Sequence, residues 1–343
     1  MSALLRTTLE KLMNRENLAE EEAAALLDAL TDATPDPHLA SALLVALRSK
    51  GETAAEVRGF ARAMRARALR PQIPPGSPIV DVVGTGGDAS GSLNISTGVA
   101  LLSAACGLRV VKHGNRSVSS KSGSADTLEA LGLKLPLDEE RAGACLAATG
   151  FTFLFAPHYH PATKAIAQVR AALGIRTVFN MLGPLTNPAA PPFSLVGAFS
   201  LPAAELMANA FLGLPIERVM VIHGEPGWDE ATPVGPFHLF DVGSGKVTHS
   251  IRDASLYGIA ACEPAHLAGG DAHYNAGRLR AVLEGREHGP HRDAIVLGAA
   301  LVLELVGSES EPGAAARAAA HAIDDGRAAQ QLATLARFAS GGT

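Results

Sequence analysis

Two stretches of this chain combine glycine, hydroxyl and charged residues in patterns suited to gripping an anion. The first is Asp81-Val-Val-Gly84-Thr-Gly86-Gly87-Asp88-Ala-Ser-Gly91-Ser92-Leu-Asn94-Ile95-Ser96-Thr97. A β-branched strand runs into a loop with four glycines, and a helix begins near Ser96. Glycines let backbone N–H groups close on an anion, and a helix N-terminus adds about half a positive charge. No Gly-Lys-Ser/Thr follows, so this is not a Walker A loop, and the spacing is not the dinucleotide GxGxxG. Asp88, Asn94, Ser96 and Thr97 point to phosphate and ribose rather than to a plain strand-to-helix turn.

The second stretch is Lys112-His113-Gly114-Asn115-Arg116-Ser117-Val118-Ser119-Ser120-Lys121-Ser122-Gly123-Ser124-Ala125-Asp126, which leaves the end of another apolar strand. Cationic and imidazole side chains alternate there with hydroxyl and backbone donors, as in an anion clamp. Both loops follow strand C-termini, where open α/β sheets bind ligands. A third feature is the pair Asp229-Glu230, after the turn His223-Gly-Glu-Pro-Gly-Trp228. Mg²⁺ typically takes one or two carboxylates and fills its octahedron with water and substrate phosphates, although a turn pair of this kind is also commonly just solvated.

Two further segments offer surfaces rather than reactive groups. Ala156-Pro-His158-Tyr159-His160-Pro161-Ala-Thr-Lys164 leads into a helix whose apolar stripe is Ile166, Val169 and Leu173. Arg170 falls about 40° from Ile166 at about 100° per residue, at the stripe's edge, so it should be partly buried and in need of an anion, either a ligand's or a salt-bridge partner's. The segment Arg176-Thr-Val-Phe179-Asn180-Met-Leu-Gly183-Pro184-Leu-Thr-Asn187-Pro188 reads as a rigid turn that either walls a flat apolar ligand or is purely structural. No Ser/His/Asp or Cys/His arrangement suggests a covalent catalyst, so no catalytic residue is expected beyond positioning and electrostatics.

These residues need a frame, and the periodicity supplies one. Residues 1–70 read as helices, with capping-box spacing at Asn17-Leu-Ala-Glu20 and Thr53-Ala-Ala-Glu56 and a C-terminal cap at Gly51. Arg70-Pro-Gln-Ile-Pro-Pro-Gly-Ser-Pro78 is too proline-rich for a helix or central strand and reads as a linker. Beyond it, strands at 79–83, 108–112, 194–198 and 218–222 alternate with helices near 97–106, 125–132, 138–149, 162–173 and 202–213, and the tail from about 275 to 340 is again helical. This predicts an α/β fold: a small N-terminal helical domain over 1–72 and a large α/β domain over 73–343 with a central, mostly parallel sheet.

With 343 residues, 47% of them hydrophobic, the chain can bury a sizeable core. A net charge of −5 argues against a general affinity for nucleic acid or acidic membranes. Three scattered cysteines without a CxxC pair give neither a disulfide framework nor a zinc site. No signal peptide is visible and the longest apolar runs, 99–108 and 294–303, fall short of the ~20 residues a membrane span needs. A soluble cytoplasmic protein is expected.

At Gly84–Asp88, Asn94–Thr97, Lys112–Arg116, Ser119–Asp126, Phe179–Pro188 and Gly269–Asp271 the sequence resembles the anthranilate phosphoribosyltransferases, in order and spacing and over nearly the whole chain. The resemblance implies a nucleoside phosphorylase-like phosphoribosyltransferase fold and a homodimer formed through the helical domains, with helices around 160–185 joining the small domain. It implies transfer of the phosphoribosyl group of phosphoribosyl pyrophosphate (PRPP) to the amine of anthranilate, releasing pyrophosphate, with Mg²⁺, in tryptophan biosynthesis. PRPP would be held by Gly84, Gly87, Asp88, Ser92, Asn94, Ile95, Ser96, Thr97, Lys112, His113, Gly114, Asn115, Arg116, Ser117, Val118, Ser119, Ser120 and Ser124. Mg²⁺ would bind Ser96, Asp229 and Glu230. Anthranilate would meet Gly84, Asn115 and Arg170, with His113, Tyr159 and Pro184 nearby. Trp228 and Gly298 depart from the family pattern. A phosphoribosyltransferase for another aminobenzoate and a nucleoside phosphorylase of the same fold are the alternatives.

Overall fold

In the computed structural model, residues 2–32, 35–117 and 121–341 are described. The chain opens with α1 (Ser2–Met13), α2 (Glu20–Thr31), α3 (Pro37–Lys50) and α4 (Ala54–Ala66). The α4 start follows its capping box: Thr53 accepts from Glu56 N–H while the Glu56 carboxylate accepts from Thr53 N–H. Gly51 closes α3 at φ +92°. The expected box at Asn17 does not form. Asn17 Oδ1 instead accepts from Lys50, and α2 begins later, with Glu22 accepting from Ala19 N–H. The reason is Glu56: fully buried, it accepts from Leu18 N–H at 2.8 Å and from Lys50 Nζ at 2.9 Å, which fixes the backbone before α2 in a different path.

After the irregular segment at 67–78 the alternation begins: β1 (Ile79–Gly84), α5 (Ile95–Ala105), β2 (Arg109–Gly114), α6 (Ser124–Ala130), α7 (Glu139–Thr149) and β3 (Phe151–Phe155). A one-turn α8 (Ala156–Tyr159) leads through α9 (Lys164–Leu173) and α10 (Phe179–Leu185) to β4 (Phe193–Gly197), α11 (Leu201–Phe211) and β5 (Arg218–Gly224). The hairpin β6 (Phe237–Gly243) and β7 (Lys246–Arg252) follows, then α12 (Ala272–Leu283), α13 (Pro290–Leu305), α14 (Pro312–Asp324) and α15 (Arg327–Ala339). The sheet order is β3-β2-β1-β4-β5-β6-β7; the first five strands are parallel and the hairpin is antiparallel. β3, β6 and β7 are additions to the strands read from the sequence.

Strand alternation sorts the core. Val82, Leu195 and Met220 pack on one face with α5 and α13, whereas Val83, Val196, Val219 and Val221 pack on the other. On that second face the cluster is continuous with the N-terminal helices, taking in Phe60 of α4, Leu182 of α10 and Met207 of α11. The segment expected to be a turn at 179–188 forms α10, with Pro184 inside it. No helix among the described residues is long and apolar enough to cross a membrane.

Candidate active site

Four neighbouring strands end on glycine at the same edge of the sheet: Gly84, Gly114, Gly197 and Gly224. Each is there because another group lies where a Cβ would be. At Gly84 it would fall 2.5 Å from Asp229 Oδ2, and at Gly197 1.7 Å from the Asp229 carbonyl. At Gly224 it would fall 2.2 Å from the Glu230 carbonyl, and at Gly114 2.5 Å from Ser124 Oγ. The loop bearing Asp229 and Glu230 therefore lies flush on the strand ends, and its carboxylates reach the β1–α5 loop. Asp229 Oδ2 accepts from Gly86 N–H at 2.6 Å, and Glu230 Oε1 from Ser96 N–H at 3.0 Å, in the first turn of α5. Trp228, buried on the large core, anchors the start of this loop.

Lys112 enters the same cluster from β2. Its ammonium is buried and donates to the Val82 carbonyl at 2.5 Å and to Ser96 Oγ at 3.2 Å. Burial pulls its pKa down, opposed by the charges of Asp81, Glu230 and Asp229. On the acidic side, burial and then the Asp88 carboxylate push Asp229 up to about 7. Burial and then Asp229 push Glu230 up to about 8. The carboxyls of Asp88, Asp229 and Glu230 thus meet the single ammonium of Lys112, and the donors are hard oxygens, as a Mg²⁺ site requires. Among the described residues no three His, Cys, Asp or Glu side chains form a closed metal cage. Two carboxylates and Ser96 would instead leave room for substrate oxygens.

The remaining predicted site residues divide by what holds them. Asn94 accepts from Thr127 Oγ1 and Asn275 Nδ2 and donates to the Ser122 carbonyl, so it ties the α5 start to α6 and α12. Gly269 has no room for a Cβ, which would lie 2.4 Å from the Ser92 carbonyl. Leu93 N–H bonds to the Leu267 carbonyl, so this segment backs the loop at Ser92 and leads into a buried Ile95. Thr97 is buried, with its hydroxyl unbonded. Asn115 accepts from Arg116 N–H, and its carbonyl takes a bond from Ser124 Oγ. Arg116 is paired with Asp126 and Glu129, which raise its pKa, and Ser117 N–H bonds to Asp126; this half of the basic clamp is engaged with its own loop. Val118, Ser119 and Ser120 lie outside the described residues.

His113 is buried, with Nδ1 3.1 Å from the Gly183 carbonyl and its ring edge-on to His160 at 5.1 Å. Burial, then His160, push it down to about 3, so it is neutral at ordinary pH. Tyr159 is core: its hydroxyl donates to the Leu137 carbonyl. Arg170 is half-buried with its guanidinium 4.9 Å over the Phe179 ring, and burial lowers its pKa. Its side chain has neither a hydrogen bond nor an ion pair to any described residue.

Sequence reasoning missed two connections. Asp81, in β1, accepts from His113 N–H and from Asn187, which also donates to the Val111 carbonyl; one amide thus clips β1, β2 and the end of the α10 segment together. The Asn-Pro dipeptide was visible, but its partner lies 106 residues away. The second is Arg176, which donates to the Gly87 carbonyl and lies 4.2 Å over the Phe199 ring.

Residues 6–68 match the helical bundle domain of a glycosyl transferase family, and residues 76–329 its a/b domain. The anthranilate phosphoribosyltransferase of Rubrobacter xylanophilus is 44% identical over 335 residues, spanning 98% of this chain and 96% of that protein. The crystal structure of the Thermus thermophilus anthranilate phosphoribosyltransferase superposes with a TM-score of 0.91 at 40% identity, covering 97% of this chain and 99% of the other. The Saccharomyces cerevisiae enzyme in complex with PRPP and Mg gives 0.90 at 25% identity, with 99% of each chain covered.

Proposed function

We propose, from the premise that this chain belongs to the anthranilate phosphoribosyltransferase family, a division of labour for its residues in moving the phosphoribosyl group of PRPP to the amine of anthranilate. The observation that carries it is the cluster of Lys112, Ser96, Asp229 and Glu230 closed over the start of α5. Displacing pyrophosphate builds negative charge on the leaving group and positive charge on the ribose. Lys112 and the N–H groups of the β1–α5 loop offset the first. Mg²⁺, held by Ser96, Asp229 and Glu230, would add charge neutralisation on the phosphate oxygens. The aromatic amine is neutral and nucleophilic near pH 7, so no strong base is needed, and most of the acceleration comes from alignment.

PRPP would be bound by Gly84, Gly87, Asp88, Ser92 and Asn94–Thr97 together with Lys112–Ser120 and Ser124. Anthranilate lies between Gly84, Asn115 and Arg170; the unpaired Arg170 guanidinium supports this role, because a half-buried cation favours a carboxylate. The helical domain takes in residues 1–72 with α9 and α10, and the rest is the large domain. The protein acts as a cytoplasmic homodimer through its N-terminal helices, a reading supported by Leu4 and Met13 of α1 and Val45 of α3, which expose apolar side chains. The test of function is PRPP-dependent loss of anthranilate fluorescence with Mg²⁺, run against a panel of aminobenzoates and against nucleoside plus phosphate. Turnover confined to another aminobenzoate, or to the phosphorolysis pair, would refute the acceptor named here.

A further inference from the structure

Arg176 lies in the short connection between α9 and α10, among the helices of the N-terminal bundle, yet its side chain serves the opposite wall of the site. Its own carbonyl accepts from Arg48 Nη1 of α3 at 2.7 Å. Its guanidinium crosses to the large domain, packs on Phe199 just beyond β4, and donates to the Gly87 carbonyl. Gly87 follows Gly86, and both have positive φ, +68° and +77°. Turning the Gly87–Asp88 peptide rotates ψ of Gly87 and φ of Asp88, and the first of these meets no Cβ, so the plane is held less firmly than one between two residues with side chains. Here the pair is pinned from both sides. Gly86 N–H is held by Asp229, and the Gly87 carbonyl by Arg176. In a planar trans peptide the carbonyl and the following N–H point in opposite directions. Holding the Gly87 oxygen therefore fixes where the Asp88 N–H points. If that peptide turned over, a carbonyl lone pair would stand where an anion-binding donor is needed.

We infer that Arg176 is a positioning residue for PRPP: it sets the Gly87–Asp88 peptide in its donor-inward orientation and ties the helical bundle to the phosphate-binding loop. This rests on the PRPP reading above. Calorimetric titration of PRPP with Mg²⁺ into the full chain, with steady-state kinetics alongside, tests it. Arg176→Gln should weaken PRPP binding and raise its KM about tenfold, the loss of one charge-assisted hydrogen bond. Its kcat, and the KM for anthranilate at saturating PRPP, should stay within about twofold. Arg176→Lys keeps a cationic donor without the planar stack, and should recover about half of the lost binding free energy, leaving the PRPP KM about threefold above wild type. Unchanged PRPP binding in Arg176→Gln would overturn the inference; so would a parallel rise in both KM values, or a Lys variant no better than Gln. Should the Gln variant fail to fold, the Lys variant carries the test, with a rise of about threefold in PRPP KM expected and no rise fatal. Wild-type protein that takes up no PRPP would sink the functional reading itself, whereas tight binding by both wild type and Arg176→Gln sinks only the role of Arg176.

Discussion

Arg170→Ala separates acceptor binding from everything else in the site. The guanidinium is half-buried and has no carboxylate partner within the described chain, only the Phe179 ring at 4.9 Å. A charge-assisted hydrogen bond to the anthranilate carboxylate is worth roughly 1.5–3 kcal/mol, or about 10- to 150-fold in affinity. The KM for anthranilate should rise by that order, while the KM for PRPP stays near its wild-type value. The stability change should be small. Losing the ring contact costs about 0.5–1 kcal/mol, and removing an unpaired, partly desolvated cation offsets part of it. For a chain of this length that amounts to about 1–2 °C in Tm. Fluorescence-monitored initial rates with each substrate varied in turn, together with a thermal melt, give all three quantities. Arg170→Lys, which keeps the charge but loses the fork, should fall between. A PRPP KM that rises as steeply as that of anthranilate, or a Tm loss of many degrees, would show that Arg170 is a structural cation and that the acceptor binds elsewhere.

Gly84→Ala should be damaging although it replaces no charged residue, since its Cβ would press on Asp229 Oδ2 at 2.5 Å. The Mg²⁺ concentration for half-maximal activity should rise about tenfold or more, and an unchanged Mg²⁺ curve would count against the metal role of Asp229. Asp229 and Glu230, at about 7 and about 8, sit above their unfolded values, so the folded chain holds more protons across that window and its metal-free stability should fall as pH rises. Buried His113 and His160, pushed down to about 3 and about 4, act in the opposite sense, but only below about pH 6.5. Added Mg²⁺ should therefore raise Tm more at about pH 8.5 than at about pH 6.5, and equal gains would contradict the assignment. In light scattering at micromolar concentration the protein should have the mass of a dimer, and Met13→Glu on α1 should shift it toward monomer; a strictly monomeric wild type would remove the interface.

What the sequence disclosed was whatever is local. The β1–α5 loop, Lys112 at the end of β2, the Thr53–Glu56 cap and the stripe that half-buries Arg170 each depend on residues within a turn or two of one another. What stayed hidden depends on partners far along the chain. Asp229 was visible as half of a turn carboxylate pair, but not that it caps Gly86, 143 residues earlier. Asn17 had the right neighbour spacing for a cap and lost to Glu56, whose buried carboxylate takes the nearby Leu18 N–H. Phe151–Phe155 is short and apolar apart from Thr152, and periodicity alone does not tell such a strand from a buried helix turn. β7, mostly exposed at the sheet's edge, has too little apolar alternation to announce itself.

The row of glycines ending β1, β2, β4 and β5 bears on how this enzyme can change. At those four positions even one added carbon meets an atom of the opposing loop or strand, so the row itself has almost no viable single-step variants. The proposed acceptor side is built differently: Arg170 is a half-buried side chain on α9 with no strand end against it, although its neighbour Phe179 is held in the core. A library selected for new aromatic amines should therefore accumulate its changes around Arg170 and leave the glycine row silent. The glycine row is the frozen part, and Gly84 carries that constraint into the proposed acceptor site as well.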